Sequence, residues 1–405
     1  MKKTTIKAVA LASAFTFSSS IVVSAIAGIS GDAASKKVTL KLWADNSAYK
    51  DLVAKFEAKN PNIKIKFQKV GSVDTTPAFQ KDASTAGDVA MVPHDQLGGL
   101  VSQGLVLRVS PDYQKDTKKT QVKGAVSGAT YKGKQYGYPY GVETQVLYYN
   151  KSKLSANDVK DWTTLTQKGK IAVNFAEGGA NYTWAPAFLT NGVYLFGKNG
   201  EQAKGSTFGT KKGVQVLKWV AAQTKNTGVV QDNAGALEDL AAGKVDAFMS
   251  GPWSKQDVQK ALGDNYAVAV YPKVDFGSGE KQLQAFLGVK LFVVNKSTKH
   301  PAEAAKLAAY LTSDESQKTI FNKIGYIPSS QKLSTSSEVK ADPLAKAVTK
   351  MSTYSTPMPK IPQVNNFWAP MDAIFNDTWK GKIDESQMLP KLKDFDIQVS
   401  KSLTK

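Results

Sequence analysis

The sequence has no cysteine, two histidines and, in Arg108, a single arginine, and each shortage excludes a class of function. Without cysteine the chain has no disulfide, no thiolate metal site and no cysteine nucleophile. His94 and His300 lie far apart in the chain, which argues against an imidazole metal site and against a Ser-His-Asp triad. Proteins that read nucleic acids favour arginine for bidentate contacts, so no nucleic-acid partner is expected. We predict neither a metal site nor a cofactor.

Lysine dominates the charge of the chain: 53 basic residues against 34 acidic ones leave a formal net charge of +19. The lysines are spread along the sequence and form no basic block with interleaved aromatic residues. Such a coat attracts anionic surfaces, for example a cell envelope, without recognising a specific partner. The 405 residues exceed what one hydrophobic core normally supports, so we expect two domains.

The first 27 residues read as a secretory signal peptide. Basic residues at the start are followed by an apolar run over residues 8–23 and by the Ala25-Ile26-Ala27 cleavage pattern. A transmembrane helix is the weaker alternative, because the run is short and rich in Ser and Thr and no stop-transfer charges follow it. We therefore expect an extracytoplasmic protein whose mature chain begins between Gly28 and Ser35.

Ile29 occupies the place of a cysteine in a sequence that is otherwise similar to the bacterial lipoprotein processing box, Ile26-Ala27-Gly28-Ile29. An acyl anchor is attached through a cysteine sulfur, and this box has none. We expect a protein that is associated with the cell surface and has no lipid-anchor cysteine.

Two α/β patterns follow along the chain. In the first, alternating apolar residues predict strands over 38–43 and 63–67, helical spacing predicts a helix from Tyr49 to Asn60, and a buried strand over 88–93 precedes a helix over 97–103. The second pattern has predicted strands over 171–175, 246–250, 266–272 and 288–295, and predicted helices around Val214 and over 301–311. This alternation indicates an α/β protein with mostly parallel sheets. Without a linker between the halves, we expect the chain to pass between two lobes more than once.

Polar residues follow two of the predicted parallel strands. Asp45 and Asn46 come after the first strand, and Asp95 and Gln96 come after the strand that ends at Pro93. Ligands bind beyond the carboxyl ends of such strands, so these residues are candidate ligand contacts. The alternative is a helix N-cap, a common role of Asp and Asn after a strand; we favour it for Asn46 and leave both roles open for Asp95.

The segment Tyr136–Asn150 is aromatic and strand-forming, and it carries an unpaired carboxylate, Glu143, in its middle. Pro139 indicates that the strand begins or bends there. Burying an unpaired charge is costly, so Glu143 is expected to face a cleft or a partner. The alternative is a core strand that leaves Glu143 in solvent.

An ordered set of motifs is similar to the maltose/maltodextrin-binding proteins, the extracellular receptors of carbohydrate ABC importers, and runs from about Val38 to the C-terminus. It comprises Trp43-Ala44-Asp45, Pro93-His94-Asp95, Tyr138-Pro139 with Val142-Glu143, Tyr148-Tyr149-Asn150-Lys151, Asn181-Tyr182-Thr183-Trp184, Ser250-Gly251-Pro252-Trp253, Met358–Gln363 and Phe367-Trp368.

The resemblance implies a two-lobe, periplasmic-binding-protein-like (type II) α/β fold with a hinge and three crossings between the lobes, near Gly141, Gly288 and Ser334. The N-terminal lobe would comprise residues 36–141 and 290–334, and the C-terminal lobe residues 142–289 and 335–405. It also implies a monomer that captures α-1,4-glucans and delivers them to the membrane permease subunits of an ABC importer.

Carboxylates and aromatic rings together suit a neutral oligosaccharide, which presents hydroxyl edges and apolar ring faces. By position in the family, Asp95 and Glu143 would accept hydroxyl hydrogen bonds, Gln96 would stand where relatives often have arginine, and Trp253 and Trp368 would stack on glucose rings. Each aromatic residue has core packing as its alternative, which we favour for Trp43 and Trp184 only. The predicted ligand contacts are Asp45, Asn46, Asp95, Gln96, Glu143, Asn181, Tyr182, Trp253 and Trp368.

Two positions depart from the family. Val92-Pro93 stands where many maltodextrin-binding proteins have a tryptophan, and Ala369 stands where they often have a tyrosine after the Phe-Trp pair. The resemblance therefore implies a preference for maltotriose and longer or cyclic glucans over maltose.

Two other function classes are the rivals. A secreted glycoside hydrolase would use two carboxylates such as Asp95 and Glu143, but no signature sets a protonated acid against an activated nucleophile, so we predict no catalytic residue and no enzyme. A cationic wall-binding adhesin would carry repeats or a low-complexity attachment region, and the sequence has neither.

Overall fold

A computed structural model describes residues 37–402, so the predicted signal peptide lies outside the described residues. The strands are β1 (Val38–Ala44), β2 (Ile63–Lys69), β3 (Val89–Pro93), β4 (Thr130–Tyr131), β5 (Lys134–Gln135), β6 (Gly137–Thr144), β7 (Val146–Asn150), β8 (Ile171–Val173), β9 (Val229–Gln231), β10 (Ala247–Ser250), β11 (Tyr266–Ala269), β12 (Lys273–Asp275), β13 (Glu280–Gln282), β14 (Phe286–Val294), β15 (Ile327–Pro328) and β16 (Thr356–Pro357).

The helices are α1 (Tyr49–Lys59), α2 (Ser72–Asp82), α3 (Leu97–Ser102), α4 (Pro111–Thr120), α5 (Lys123–Gly128), α6 (Trp162–Lys168), α7 (Ala180–Thr190), α8 (Lys211–Gln223), α9 (Ala236–Ala241), α10 (Lys255–Leu262), α11 (Pro301–Leu311), α12 (Asp314–Ile324), α13 (Gln331–Ser334), α14 (Ser337–Ala341), α15 (Pro343–Ser352), α16 (Trp368–Trp379) and α17 (Glu385–Val399). Short 3₁₀ helices cover His94–Gln96, Pro252–Ser254, Gly263–Asn265 and Pro362–Asn366.

Two mixed sheets organise the described chain. The first has the strand order β15-β6-β14-β3-β1-β2, with β16 paired to β14, and the second has the order β11-β7-β10-β8-β9. Helices cover these sheets, and buried apolar side chains from both kinds of element form the cores. The predicted two-lobe α/β fold is confirmed.

The expectation of mostly parallel sheets is wrong for the strands nearest the passages between the sheets. β14 runs antiparallel to both β3 and β6, and β7 runs antiparallel to both β10 and β11. A parallel neighbour requires a long crossover connection, usually a helix. β7 instead follows β6 after one residue, and β14 follows β13 after residues 283–285, so neither strand has such a crossover before it.

Within residues 37–402 the chain passes between the two sheets repeatedly, and it last returns to the first sheet at β16, which pairs with β14. It leaves the first sheet after Thr144 and joins the second at Val146, and it returns to the first sheet at Phe286. After β15 it leaves again, and α15 packs on β7 and β11 of the second sheet. The segments at these passages bring groups from both sheets close together.

The two tryptophans that the sequence analysis assigns to the core, Trp43 and Trp184, are buried. Trp43 is 8% exposed and Trp184 is 1% exposed, so both are core residues. Trp253 is 38% exposed and Trp368 is half-buried. In the part of the chain that the structure describes, no helix is long and apolar enough to cross a membrane.

Candidate functional site

A buried ion pair lies at the centre of the candidate site. Lys290 on β14 places its Nζ 3.1 Å from Oε1 of Glu143 on β6, and the two residues are 4% and 3% exposed. Glu143 thus faces a partner, one of the two outcomes that the cost of burying a charge predicts, and the alternative that leaves it in solvent is wrong. The partner comes from a strand far away in the chain that pairs with β6, which local sequence pattern does not reveal.

Asp45 and Asp95 lie beyond the carboxyl ends of β1 and β3, as the sequence predicts. Asp45 accepts a hydrogen bond from Oη of Tyr326 at 2.8 Å. Asp95 is 3% exposed, and its Oδ2 accepts a hydrogen bond from the side-chain amide of Gln96. Asp95 lies within a short 3₁₀ helix and caps no helix, so the predicted N-cap alternative is wrong.

The charges of this group act on one another. Burial raises the pKa of Asp95 to about 6, against the opposing effects of Gln96 and Lys290. Burial likewise raises the pKa of Glu143, and Lys290 opposes this shift. Burial lowers the pKa of Lys290, but Glu143, Asp45 and Asp95 outweigh it, so the pKa of the ammonium lies above its ordinary value. Lys290 is therefore a cation held among three carboxylates.

Four of the predicted contacts carry a buried oxygen without a hydrogen-bond partner. These atoms are Oδ1 of Asp45, Oδ1 of Asp95, Oε2 of Glu143 and Oη of Tyr182. Buried polar atoms in folded proteins are nearly always paired, because an unmade hydrogen bond costs the full desolvation of the group. The site therefore offers unused acceptors, together with one phenol, to a ligand rich in hydroxyl groups.

Three aromatic rings lie beside these oxygens. The centroid of the Tyr182 ring is 6.3 Å from that of Trp253 and 6.5 Å from that of Trp368. Trp253 belongs to the turn after β10, and Gly251 lets its ring approach the backbone, since a Cβ at position 251 would lie 2.2 Å from the ring. The rings form an apolar surface next to a polar one, as a sugar requires.

Asn181 and Asn46 use their side chains within the protein. The amide of Asn181 donates to the carbonyl oxygen of Trp368 at 2.7 Å, while its backbone N–H donates to Asp372 at 2.8 Å. This ties the start of α7 to the start of α16, and so Tyr182 to Trp368. Asn46 accepts from the backbone N–H of Ala48 at 2.8 Å in the turn before α1, but the N-cap residue of α1 is Ala48 and no side chain caps this helix, so the N-cap role favoured for Asn46 is wrong.

Sequence reasoning missed Lys290, Tyr326 and the structural role of His94. A single lysine inside the predicted buried run 288–295 was a usable signal for Lys290, because an unpaired buried lysine is costly. His94 donates from Nε2 to the carbonyl oxygen of Met358 and accepts at Nδ1 from the N–H of Val289, each at 3.1 Å. Burial, together with Lys360, lowers the pKa of His94 to about 3, so the ring is neutral.

No group of three or more His, Cys, Asp or Glu side chains within residues 37–402 is arranged to hold a metal ion. The positive charge among the carboxylates is supplied by the side chain of Lys290.

Residues 51–347 match the model of a family described as bacterial extracellular solute-binding protein. Over 381 residues the chain is 28% identical to a galactooligosaccharide-binding protein of Bacillus subtilis (strain 168), covering 89% of each chain. It is 29% identical over 377 residues to a maltooligosaccharide ABC transporter solute-binding lipoprotein of Streptococcus pneumoniae (strain ATCC BAA-255 / R6), covering 88% of this chain and 86% of that one.

The fold is similar to that of maltodextrin-binding protein MalE1 from L. casei BL23, solved without ligand. The two share 39% sequence identity and a TM-score of 0.80, with 90% of this chain and 99% of that chain covered. Both lobes are therefore included in the similarity.

Proposed function

Since the chain belongs to the bacterial extracellular solute-binding protein family, we propose that it captures maltodextrins outside the cytoplasm and delivers them to an ABC importer. The names of the relatives supply the ligand class, and the chemistry of the site agrees with it. The galactooligosaccharide-binding relative makes a second class of neutral oligosaccharide a required comparison in any binding experiment.

One observation carries the proposal: unpartnered buried oxygens on Asp45, Asp95, Glu143 and Tyr182 adjoin a surface of aromatic rings. Ionised carboxylates accept hydrogen bonds only, and a glucan offers several hydroxyl donors along each edge. The apolar faces of its rings match the indole and phenol surfaces. A neutral sugar also adds no charge to a site where three carboxylates already surround one ammonium.

We propose that all nine predicted contacts belong to the site, in three groups. Asp45, Asp95, Gln96 and Glu143 act on hydroxyl groups, and Tyr182, Trp253 and Trp368 act on ring faces. Asn181 and Asn46 contribute by holding neighbouring elements, which is supported by their bonds to Trp368 and Ala48.

We infer that the protein has no hydrolytic activity of its own. The raised pKa of Asp95 is a property that a general acid would also have, so the glycoside hydrolase alternative has to be tested directly. Incubating the purified protein with maltotetraose and analysing the products by chromatography should show only the intact tetrasaccharide. Release of glucose, maltose or maltotriose at a rate that scales with protein concentration would identify an enzyme.

Calorimetric titration is the test of the receptor function. The panel comprises maltose, maltotriose, maltotetraose, a cyclic maltodextrin and a galactooligosaccharide. We expect maltodextrins to bind with a stoichiometry of one per chain. Binding of the galactooligosaccharide alone would move the protein to the ligand class of the Bacillus subtilis relative, and no binding at all would refute the proposal.

We propose that the N-terminal lobe comprises residues 36–141 and 290–334 and that the C-terminal lobe comprises residues 142–289 and 335–405. We also propose that the receptor is a monomer whose lobes close on the sugar. Sheet membership supports the division to within a few residues, because β6 stays with the first sheet up to Thr144. The partner would be the permease of an importer, as the name of the pneumococcal relative implies for that protein.

We propose that the lysine coat contributes to retention at the cell surface, since this sequence has no cysteine to carry the lipid that the word lipoprotein denotes in the pneumococcal relative. Charge attraction is screened by salt. In 1 M NaCl the screening length falls to roughly 3 Å. Washing intact cells in this solution should therefore release the protein into the supernatant. Release that does not depend on salt would exclude electrostatic retention.

A further inference from the structure

Lys290 stands beside a glycine in the first sheet. In the pairing of β14 it stands opposite Pro93 of β3 on one side and Gly141 of β6 on the other. A Cβ at position 141 would lie 3.9 Å from Cβ of Lys290 and 3.4 Å from Cβ of Tyr326. The small neighbour leaves Lys290 room to extend from the sheet, and the residue is nevertheless only 4% exposed.

The ammonium group of Lys290 contacts groups from several separate segments. Its Nζ is 3.1 Å from Oε1 of Glu143, 5.2 Å from the centroid of the Tyr326 ring and 5.7 Å from that of the Trp253 ring. Glu143 and Tyr326 belong to the first sheet and its neighbourhood, whereas Trp253 follows β10 of the second sheet. Both rings present a face to the cation, an attractive arrangement.

In the ion pair with Lys290, one carboxylate oxygen of Glu143 has a partner and the other has none. Oε1 faces Lys290, and Oε2 is buried without a partner. The ion pair therefore fixes which oxygen of Glu143 is available. Asp95 shows the same division, because Oδ2 accepts from Gln96 while Oδ1 has no partner.

The buried carboxylates of Asp95 and Glu143 would not both stay ionised without a cation, because burial and like charge both favour the protonated form. A protonated carboxyl would present a donor where a sugar hydroxyl needs an acceptor, and it would lose the added strength of a charge-assisted bond. Lys290 is the cation that acts on all three, Asp45, Asp95 and Glu143.

We propose that Lys290 is the positioning residue of the sugar site: through its contact with Oε1 it directs Oε2 of Glu143 toward the ligand, and its charge keeps the neighbouring carboxylates as ionised acceptors. The inference rests on the proposed function and adds a residue that acts through Glu143 instead of on the sugar. It also explains how a site for neutral ligands contains three acids.

The side chains that surround Lys290 and its neighbouring carboxylates determine which groups can change protonation near neutral pH. The rings of Tyr326 and Trp253 lie next to Lys290. Farther out are three tyrosines that interact electrostatically with the same carboxylates or with each other: Tyr49, Tyr140 and Tyr182. Burial raises the pKa of each of these tyrosines well above its ordinary value, so all remain neutral at physiological pH. Asp95 and Glu143, whose pKa values burial raises and Lys290 lowers, are therefore the groups whose protonation should change when Lys290 is removed.

The test compares wild type with Lys290→Met and Lys290→Arg by measuring the dissociation constant for maltotriose between pH 5.5 and 8.5. We expect Lys290→Met to bind at least tenfold more weakly than wild type at pH 6 and to recover part of this loss at pH 8.5, where Asp95 and Glu143 ionise; the loss that remains reflects the missing contact that orients Oε2. Lys290→Arg keeps the charge and should recover much of the loss. A deficit that is the same at every pH, or none, would overturn the proposal, since a purely structural role has no reason to follow carboxylate ionisation.

A double variant separates action through Glu143 from direct contact with sugar. Lys290→Met should cost less affinity in a Glu143→Gln background than in wild type, because the oxygen that Lys290 orients is already altered. Equal costs in both backgrounds would mean that Lys290 acts independently of Glu143, contrary to the proposal. Replacing both partners removes the uncompensated buried charge, so this variant should fold even if Lys290→Met does not.

Ligand-free unfolding tests the proposal without any sugar. In Lys290→Met the carboxylates should have raised pKa values in the folded state, so folding takes up protons and stability falls as pH rises. The melting-temperature deficit relative to wild type should therefore grow from pH 5 to pH 8, while the binding deficit shrinks. If wild type bound no glucan, the proposed function would fail and this trend would still decide the role of Lys290; a constant deficit would refute that role.

Discussion

Gly288 lies directly opposite Glu143 in the antiparallel pairing of β6 and β14, and it leaves the space that the Glu143 side chain occupies. A Cβ at position 288 would come within 2.9 Å of Cγ and 3.0 Å of Oε1 of Glu143. Contacts this short require one side to move. The orientation of the central carboxylate therefore depends on the absence of a side chain on the facing strand.

Substituting Gly288 by Ala should displace Glu143 and weaken maltotriose binding by about tenfold, the equivalent of one hydrogen bond of about 1.4 kcal/mol. Calorimetry measures the affinity, and circular dichroism checks the fold. The matched control is Gly124→Ala on α5, where a Cβ would meet nothing within 4 Å. Equal affinities for wild type and Gly288→Ala would show that Glu143 retains its position or does not contact the sugar.

Glu143→Gln should reduce affinity for maltotriose by at least tenfold while the protein stays folded. A hydrogen bond to a charged acceptor contributes about 1.5–3 kcal/mol, and the amide also ends the ion pair with Lys290. Glu280→Gln, on the exposed strand β13, is the control for loss of one negative charge elsewhere. A dissociation constant unchanged by Glu143→Gln would remove Glu143 from the ligand contacts.

The sequence predicted most elements of the fold because their patterns are local. Alternation identified β1 and β2, and helical spacing identified α1, which buries Tyr49, Leu52, Val53 and Phe56. Strand direction was not predictable in this way. The antiparallel placement of β14 follows from a passage between the sheets, which depends on contacts distant in sequence.

In the candidate site, too, features with a local sequence pattern were predicted and features that depend on distant contacts were not. Asp45 and Asp95 were identified because they follow parallel strands, a rule that needs only strand order. The partnership of Glu143 with Lys290 joins β6 to β14, and that of Asn181 with Trp368 joins residues 187 apart in the chain. Neither has a local signal. A residue type can therefore be predicted from sequence where its hydrogen-bond partner cannot.

The lobes should close when a glucan binds, because contacts to Glu143 from the first sheet and to Trp253 from the second are made together only in a closed form. Maltotriose should reduce the radius of gyration in solution scattering and change the tryptophan emission, since Trp253 is 38% exposed and lies beside Lys290. Mannitol at the same concentration is the control. Scattering and emission that saturating maltotriose leaves unaltered would contradict closure.

Stability without ligand should decline between about pH 4 and pH 6 through Asp95. Burial raises its pKa to about 6, above its unfolded value, so the folded state binds more protons in this window and loses stability as pH rises. A pKa raised from 3.8 to about 6 corresponds to a loss of at most roughly 3 kcal/mol of folding stability. Asp95→Asn cannot titrate, and its urea-unfolding curves should lack this decline. A decline of the same size in both proteins would assign it to other groups.

Affinity should increase from maltose to maltotriose to maltotetraose. The resemblance to maltodextrin-binding proteins implies that Val92-Pro93 and Ala369 replace two stacking residues. A disaccharide would then lose a larger share of its contacts, while longer chains would keep Tyr182, Trp253 and Trp368. Each retained aromatic contact contributes about 0.5–1.5 kcal/mol, or severalfold in affinity. A calorimetric series with the reverse order would show that other residues fill the vacated positions.

The bonds from the start of α7 to α16 have a consequence for biosynthesis. Asn181 and Gly179 donate to Asp372, and Asn181 also donates to Trp368, across nearly two hundred residues of intervening chain. A growing polypeptide therefore carries Tyr182 and Glu143 long before the residues that complete the site exist. The aromatic part of the site can therefore assemble only after α16 has been synthesised.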